Sequence, residues 1–259
     1  MIKKQIDCRA CGNCSAYLQG GIILQESIQY FECDKCGYVQ TQYPDWLDKA
    51  YSDTINTSDT GLLARNQFNS RVVLGTLMLL GNLSGRVVDY AGGYGILVRA
   101  LRDFGVDASW MDPYCENLLA KGFEFEKGSD TILTTAFEAF EHLVNPVEDI
   151  RKMFELSPNL LVSTDLIADP APVQSDWWYY GADHGQHIGF FRVRTLQVLA
   201  DRHEKYLYTN GVNYHLFTSS PISQQLWRYM LRYNWLMPAI ARRKLVSKTW
   251  ADHIRLSKV

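Results

Sequence analysis

Two pairs of cysteines stand near the start of the chain, Cys8-Arg-Ala-Cys11 and Cys33-Asp-Lys-Cys36, with 21 residues between them. Each C-x2-C pair can bite one metal ion from a tight turn, and Gly12 and Gly37 let the backbone fold beneath it. Four thiolates fill a tetrahedron and leave no open position for water, so a zinc ion here is expected to organise structure rather than activate a nucleophile. Cys14 makes a competing Cys11-Gly-Asn-Cys14 pair. The reading assigns Cys8, Cys11, Cys33 and Cys36 to the metal and leaves Cys14 free, with buried or reactive metal-free cysteines as the alternative.

A second group lies in Val-Val-Asp-Tyr-Ala-Gly-Gly-Tyr-Gly, residues 87–95. Gly92, Gly93 and Gly95 supply a sharp strand-to-helix turn of little bulk, and the helix start beyond it offers free N–H groups to a ligand. A dinucleotide fingerprint counted from Gly93 would need glycine or alanine at position 98, which is Val98. Asp89 instead ends the strand before the glycines, which suits an ammonium and repels a pyrophosphate. Asp112, 23 residues further on, falls where the next strand should end and can accept hydrogen bonds from two ribose hydroxyls. A nucleoside cofactor bearing an amino acid is expected; Asp112 as a plain helix cap is the alternative.

Histidines make the third group. Glu141-His142 follows a presumed strand at its carboxyl end, where open parallel sheets place their ligands, and histidine is suited to take a proton at neutral pH. His184-Gly-Gln-His187 lies in an aromatic segment near Tyr180 and Asp183, and His142, His187, His184 and Tyr180 are the catalytic candidates. Structural roles stay open for each, His142 as the start of a helix before Pro146 among them. His203, His215 and His253 have no comparable context.

The elements that must position these groups follow from spacing. Residues 1–43 are turn-rich and read as a small metal-binding module, and 44–83 carry helical periodicity through Leu62, Leu63, Phe68, Val72, Val73, Leu77 and Leu80. From residue 84 to 222, strands alternate with helices as in an α/β open parallel sheet with helices on both faces. Strands are drawn at 86–90, 107–111, 130–135, 159–164, 204–210 and 213–218, and helices near 95–104, 115–121, 146–155 and 192–202. Residues 169–191 form the longest irregular segment, with Trp177, Trp178, Tyr179 and Tyr180 against disorder. Residues 223–259 form a basic amphipathic segment.

Composition bounds the function classes. The 259 residues are 47% hydrophobic, enough for a sizeable core. The net charge of −2 gives no general pull toward nucleic acid. Residues 228–259 are nevertheless +7 and the first 227 are −9, so the aromatic, basic 227–250 stretch could touch a membrane surface, or could simply pack on its own domain. No stretch is long and apolar enough to span a bilayer, and no export signal is seen, so a soluble, cytoplasmic protein is expected. Five of six cysteines fall within the first 36 residues, which without an export signal points to metal rather than disulfides.

The residues resemble a known group, the class I methyltransferases with an N-terminal zinc-binding module that act on sugars in bacterial polysaccharide or antibiotic pathways. The likeness runs through residues 8–12 and 33–40, Ala50-Tyr51-Ser52, Arg65-Asn66, the glycine loop, Phe-Glu-Ala-Phe-Glu-His-Leu (137–143) and Gly-Gln-His-Ile-Gly-Phe-Phe (185–191). It implies a Rossmann-like sheet with a small zinc-ribbon-like module, and S-adenosylmethionine as methyl donor. Asp89, Gly92, Gly93, Gly95 and Asp112 would hold that cofactor, with Ala136 and Phe137 near its adenine. His142 and His187 would face the acceptor and Tyr51 would come close to it. Ala91 stands where the family's loop usually begins with glycine, and His184-Gly-Gln186 replaces the Tyr-x-Glu that precedes the matching histidine in sugar C-methyltransferases. The acceptor expected is a sugar, nucleotide sugar or glycan; a non-sugar small molecule, or a non-catalytic scaffold retaining the nucleotide fold, are the rivals.

Overall fold

A computed structural model describes residues 4–51 and 59–257; Ser52 lies outside them. In chain order the strands are β1 (Gln5–Asp7), β2 (Cys14–Ile23), β3 (Glu26–Cys33), β4 (Val39–Thr41), β5 (Arg86–Tyr90), β6 (Ala108–Met111), β7 (Thr131–Phe137), β8 (Leu160–Ser163), β9 (Gly189–Phe190), β10 (Tyr206–Thr209) and β11 (Tyr214–Thr218). The helices are α1 (Leu47–Ala50), α2 (Leu62–Leu79), α3 (Ile96–Asp103), α4 (Pro146–Leu156), α5 (Val193–Arg202), α6 (Gln224–Arg232), α7 (Met237–Lys244) and α8 (Thr249–Leu256). A six-stranded sheet has the order β10-β11-β8-β7-β5-β6, and a five-stranded sheet the order β1-β2-β3-β4-β9. The α/β class expected is the class observed, and the six strands drawn from residue 86 onward are β5 to β8, β10 and β11, with ends within two residues.

The chain divides into two compact units. One holds residues 57–137, 153–161 and 218–259. Here β5 pairs in parallel with both β6 and β7, setting Asp89 beside Trp110 on one side and Thr135 on the other. Val87 and Val88 are buried, as a strand covered on both faces requires. Helix α3 turns Leu97, Val98 and Leu101 inward at helical spacing. Helix α2 buries Asn69, Val72, Val73, Thr76 and Leu77 instead, while Leu63 and Phe68, expected inside, are exposed.

No helix forms at 115–121. Asp112 accepts from the N–H groups of Tyr114 and Cys115, Asn117 accepts from Ala120 N–H, and Leu118 and Leu119 donate to the Tyr94 carbonyl. Short polar side chains thus take the donors a helix would have used, and Leu118 and Leu119 stay exposed. The basic C-terminal segment is helical. Its only acid, Asp252, is buried in α8 and receives two hydrogen bonds from the buried Arg102 of α3. Trp227 is buried and Tyr229, Tyr233, Trp235 and Trp250 are exposed. No helix among the described residues is long and apolar enough to cross a membrane.

The other unit holds residues 1–56, 138–152 and 162–217. β2 and β3 form a hairpin closed by Leu24 and Gln25, both with positive φ. β4 pairs antiparallel with β9, so residues 39–41 and 189–190 share one sheet. Ile23, Tyr30, Val39, Trp46, Tyr180 and Phe190 build its core. Arg192, buried at the start of α5, pairs with Glu32 and donates to the Gly37 carbonyl, and Thr195 donates to the Cys36 carbonyl at 2.7 Å. The cysteine-bearing segment is therefore tied to residues more than 150 positions away.

Candidate functional site

The two cysteine pairs fold as matching knuckles. Gly12 N–H donates to the Cys8 carbonyl and Gly37 N–H to the Cys33 carbonyl, with φ of +79° and +70° at the glycines. That conformation is open to glycine at little cost. Cys8 and Cys36 sulfurs lie 3.5 Å apart, Cys11 and Cys33 sulfurs 3.4 Å apart, and all four within 4.8 Å of one another. All four are buried and none is disulfide-bonded. Around a tetrahedral ion with Zn–S bonds of about 2.3 Å, sulfurs stand roughly 3.7 Å apart, so the cluster fits with slight opening. Cys14 is exposed on β2 and bonds to Gln5, outside the cluster.

The glycine turn is fastened to the ends of its neighbours. Gly93 N–H donates to the Asp112 carboxylate at 2.9 Å, and Trp110 Nε1 donates to the Gly93 carbonyl at 2.8 Å. A Cβ on Gly95 would come within 2.8 Å of Ala120 Cβ, and one on Gly92 within 2.8 Å of the Trp110 ring. Ala91 adopts a φ of +58°, a conformation that glycine takes more easily. Helix α3 starts at Gly95 with no side-chain cap, leaving its first N–H groups to a ligand. Asp89 is 4% exposed and accepts from the Thr135 hydroxyl at 2.7 Å. Burial pushes its carboxyl up to about 7, the Thr135 bond offsetting part of the shift. Ala136 and Phe137 continue β7 just past Thr135, the partner of Asp89. A buried carboxylate beside a turn without side chains, with Asp112 beside it, fits a cationic amino acid joined to a ribose.

The histidines meet in the other unit. His142 and His187 rings are 4.9 Å apart and nearly perpendicular, and His184 lies 4.8 Å from His187. A short turn, Phe140–His142, presents Glu141 and His142, and the Ile188 N–H donates to the Glu141 carbonyl at 2.8 Å, which fastens that turn to the histidine loop. Trp46 Nε1 donates to the Gly185 carbonyl and Gln186 Nε2 to the Ala50 carbonyl, both at 2.8 Å. Tyr51 hydroxyl sits 2.9 Å from His142 Nδ1. His187 Nδ1 is 2.6 Å from the Tyr179 carbonyl oxygen, an acceptor, so Nδ1 carries the proton and Nε2 has a free lone pair. Burial holds His184 and His187 down to about 4 and His142 well below its ordinary value, so all three are neutral at physiological pH.

Of the four catalytic candidates, the fold brings His142, His184 and His187 together. Tyr180 is set apart from them: its hydroxyl donates to the Pro172 carbonyl and its ring packs on Tyr30, Trp177 and Phe190. Tyr179 stacks against His187 instead, with centroids 4.7 Å apart. In a run of four aromatics the sequence offers no signal for which one faces the histidines. Glu141 is wholly buried with neither carboxylate oxygen in a well-formed hydrogen bond among the described residues, although the Glu-His pair had suggested only its histidine.

The glycine turn thus stands between Asp89 and Asp112, at the ends of β5 and β6 in the six-stranded sheet. A family model described as a methyltransferase domain matches residues 64–204, and the chain belongs to that family. An O-methyltransferase family protein from Burkholderia thailandensis is 12% identical with a TM-score of 0.50, the alignment covering 69% of this chain and 64% of that one. A 1,6-didemethyltoxoflavin-N1-methyltransferase from the same organism, solved with its acceptor and S-adenosylhomocysteine, is 14% identical with a TM-score of 0.49, covering 77% and 97%. Magnesium protoporphyrin IX methyltransferase from Synechocystis PCC 6803, solved with S-adenosylhomocysteine, is 14% identical with a TM-score of 0.44, covering 67% and 91%. This chain thus spans less than two thirds of the first of these, and at 12% identity the likeness to that structure is one of fold. Among curated proteins none matches.

Proposed function

We propose that the chain is an S-adenosylmethionine-dependent methyltransferase whose acceptor is a sugar, nucleotide sugar or glycan. The observation that carries the cofactor is the pair of acids flanking the glycine turn, Asp89 buried at the end of β5 and Asp112 hydrogen-bonded to Gly93. Asp89 holds the amino-acid end, Asp112 the ribose, Gly92, Gly93 and Gly95 let the backbone approach, and Ala136 and Phe137 lie against the adenine. When bound, the cofactor supplies a methyl group on a positively charged sulfur. The chain's own task is to orient the acceptor and take its proton. In the histidine cluster, a neutral Nε2 on His142 or His187 is where that proton goes. Tyr51 and the Tyr179 carbonyl hold the two rings. The acceptor class rests on the likeness of residues 137–143 and 185–191 to sugar-acting enzymes and on a cluster rich in hydrogen-bonding groups. Cys8, Cys11, Cys33 and Cys36 hold a structural zinc.

Calorimetry with S-adenosylmethionine tests the reading. Binding is expected, weakened at least ~10-fold by Asp112→Ala, which removes about 1.4 kcal/mol or more of hydrogen bonding to the ribose. Absence of binding at millimolar cofactor would leave the scaffold reading. Labelled cofactor with a panel of nucleotide sugars then tests the acceptor, and label appearing only in other metabolites would remove sugars.

A further inference from the structure

We infer that Glu141, His142 and His187 form a binding site for a divalent transition-metal ion, distinct from the four-cysteine site, that takes a hydroxyl oxygen of the acceptor in an open position. Three observations carry this. Glu141 Oε1 lies 3.9 Å from His142 Nε2 and 4.0 Å from His187 Nε2, and one donor atom from each residue falls within 4.8 Å of the others. Imidazole and carboxylate donors bind such ions at about 2.0–2.2 Å, so neighbouring donors stand roughly 3–3.5 Å apart and the two carboxylate–imidazole separations need to close by about 1 Å or less.

Glu141 is 0% exposed and, among the described residues, neither of its oxygens is in a well-formed hydrogen bond, the Tyr179 and Thr164 hydroxyls only steadying its charge from nearby. A buried carboxylate left so costs free energy unless a cation meets it.

The far side of each ring is already arranged as metal-bound imidazoles usually are. His187 Nδ1–H donates to the Tyr179 carbonyl, which leaves its Nε2 lone pair free, and His142 Nδ1 lies 2.9 Å from the Tyr51 hydroxyl, a group that can accept from it and so permit the same tautomer. Two imidazoles and one carboxylate suit Mn2+, Fe2+, Co2+ or Zn2+ better than Mg2+ or Ca2+, and three protein donors leave positions open.

The inference rests on the methyltransferase reading for its acceptor and changes the fate of the acceptor's proton. With the ion bound, the two Nε2 lone pairs are ligands rather than bases. A hydroxyl on the ion loses its proton to solvent, its oxygen forms the new O–CH3 bond, and the electron pair of the breaking S–C bond returns to sulfur. The site therefore favours transfer to oxygen.

Mn2+ titrated into protein holding one equivalent of zinc, enough for the four cysteines alone, and followed by electron paramagnetic resonance tests the site, since this hard ion has little affinity for four thiolates. The expected result is one further ion per chain, with affinity lowered at least ~10-fold by Glu141→Gln and by His187→Ala. Circular dichroism and zinc content establish that each variant is folded, and the near-isosteric Glu141→Gln keeps the test valid if His187→Ala unfolds. No binding at millimolar Mn2+, or binding untouched by both variants, would overturn the site. Cofactor calorimetry on the same samples is a separate readout: cofactor bound without Mn2+ sinks this inference alone, and Mn2+ bound without cofactor sinks the methyltransferase reading alone.

Discussion

Single residues at both clusters are held in states that water would not give them. Asp89, buried with a carboxyl near 7, keeps a proton in the folded chain that the unfolded chain releases near its ordinary value of 3.8. Ionisation between those values penalises only the folded state, so its contribution to stability declines as pH rises from about 4 to 7 and is constant above. Asp89→Asn is expected to unfold at higher temperature than the parent at pH 8, by at most about 4 kcal/mol of stability, with the gap closing below pH 4 and cofactor affinity falling. Equal pH profiles for the two proteins would refute this. His142→Ala or His187→Ala should leave cofactor affinity nearly unchanged and lower turnover at least ~100-fold, whether the ring takes the proton or holds the ion. Steady-state rates with labelled cofactor measure it, and unchanged turnover in both variants removes them from the mechanism.

At the scale of elements, the basic C-terminal segment is anchored by its one acid. Arg102 of α3 and Asp252 of α8 are both buried, and Arg99 and Asp107 join them. Removing Asp252 leaves the buried Arg102 with the half-exposed Asp107 as its counter-charge, which costs up to about 3–5 kcal/mol. Asp252→Ala should therefore lower stability in chemical denaturation by that amount, whereas Arg228→Ala, on the exposed side of α6, should change it by less than about 0.5 kcal/mol. If the two variants cost the same, the anchor is not what holds α8. The knuckle turns at Gly12 and Gly37 were legible because C-x2-C-G admits few backbone paths. The 115–121 turns were not, because Asn117 and Asp112 captured donors by geometry that apolar spacing does not report.

At the scale of the whole molecule, each compact unit is assembled from three stretches of chain. The segment carrying the cysteines shares a sheet with β9 and hydrogen-bonds to α5. A peptide of residues 1–56 with zinc is consequently expected to lack the cooperative unfolding of the intact chain. Elemental analysis of the intact chain should give one tightly held zinc, lost in Cys33→Ser/Cys36→Ser together with a lower melting temperature. A metal-free native protein, or a variant as stable as the parent, would refute the structural ion.

By itself the sequence determined what local chemistry determines: the knuckles, the glycine turn between two acids, the six strands drawn from residue 86 onward, and the Glu141-His142 and His187 positions as places of interest. Those features depend on neighbours a few residues away, or on a periodicity that burial enforces. Only the tertiary structure decided that Cys14 stands outside the cluster, that Tyr179 rather than Tyr180 meets the histidines, and that Glu141 is buried with no well-formed hydrogen bond to its carboxylate among the described residues. Each of these depends on which distant strands share a sheet, since β4 and β9 lie about 150 residues apart in sequence and their pairing is set by the burial of the whole core. The metal-like grouping of Glu141, His142 and His187 emerges from that pairing.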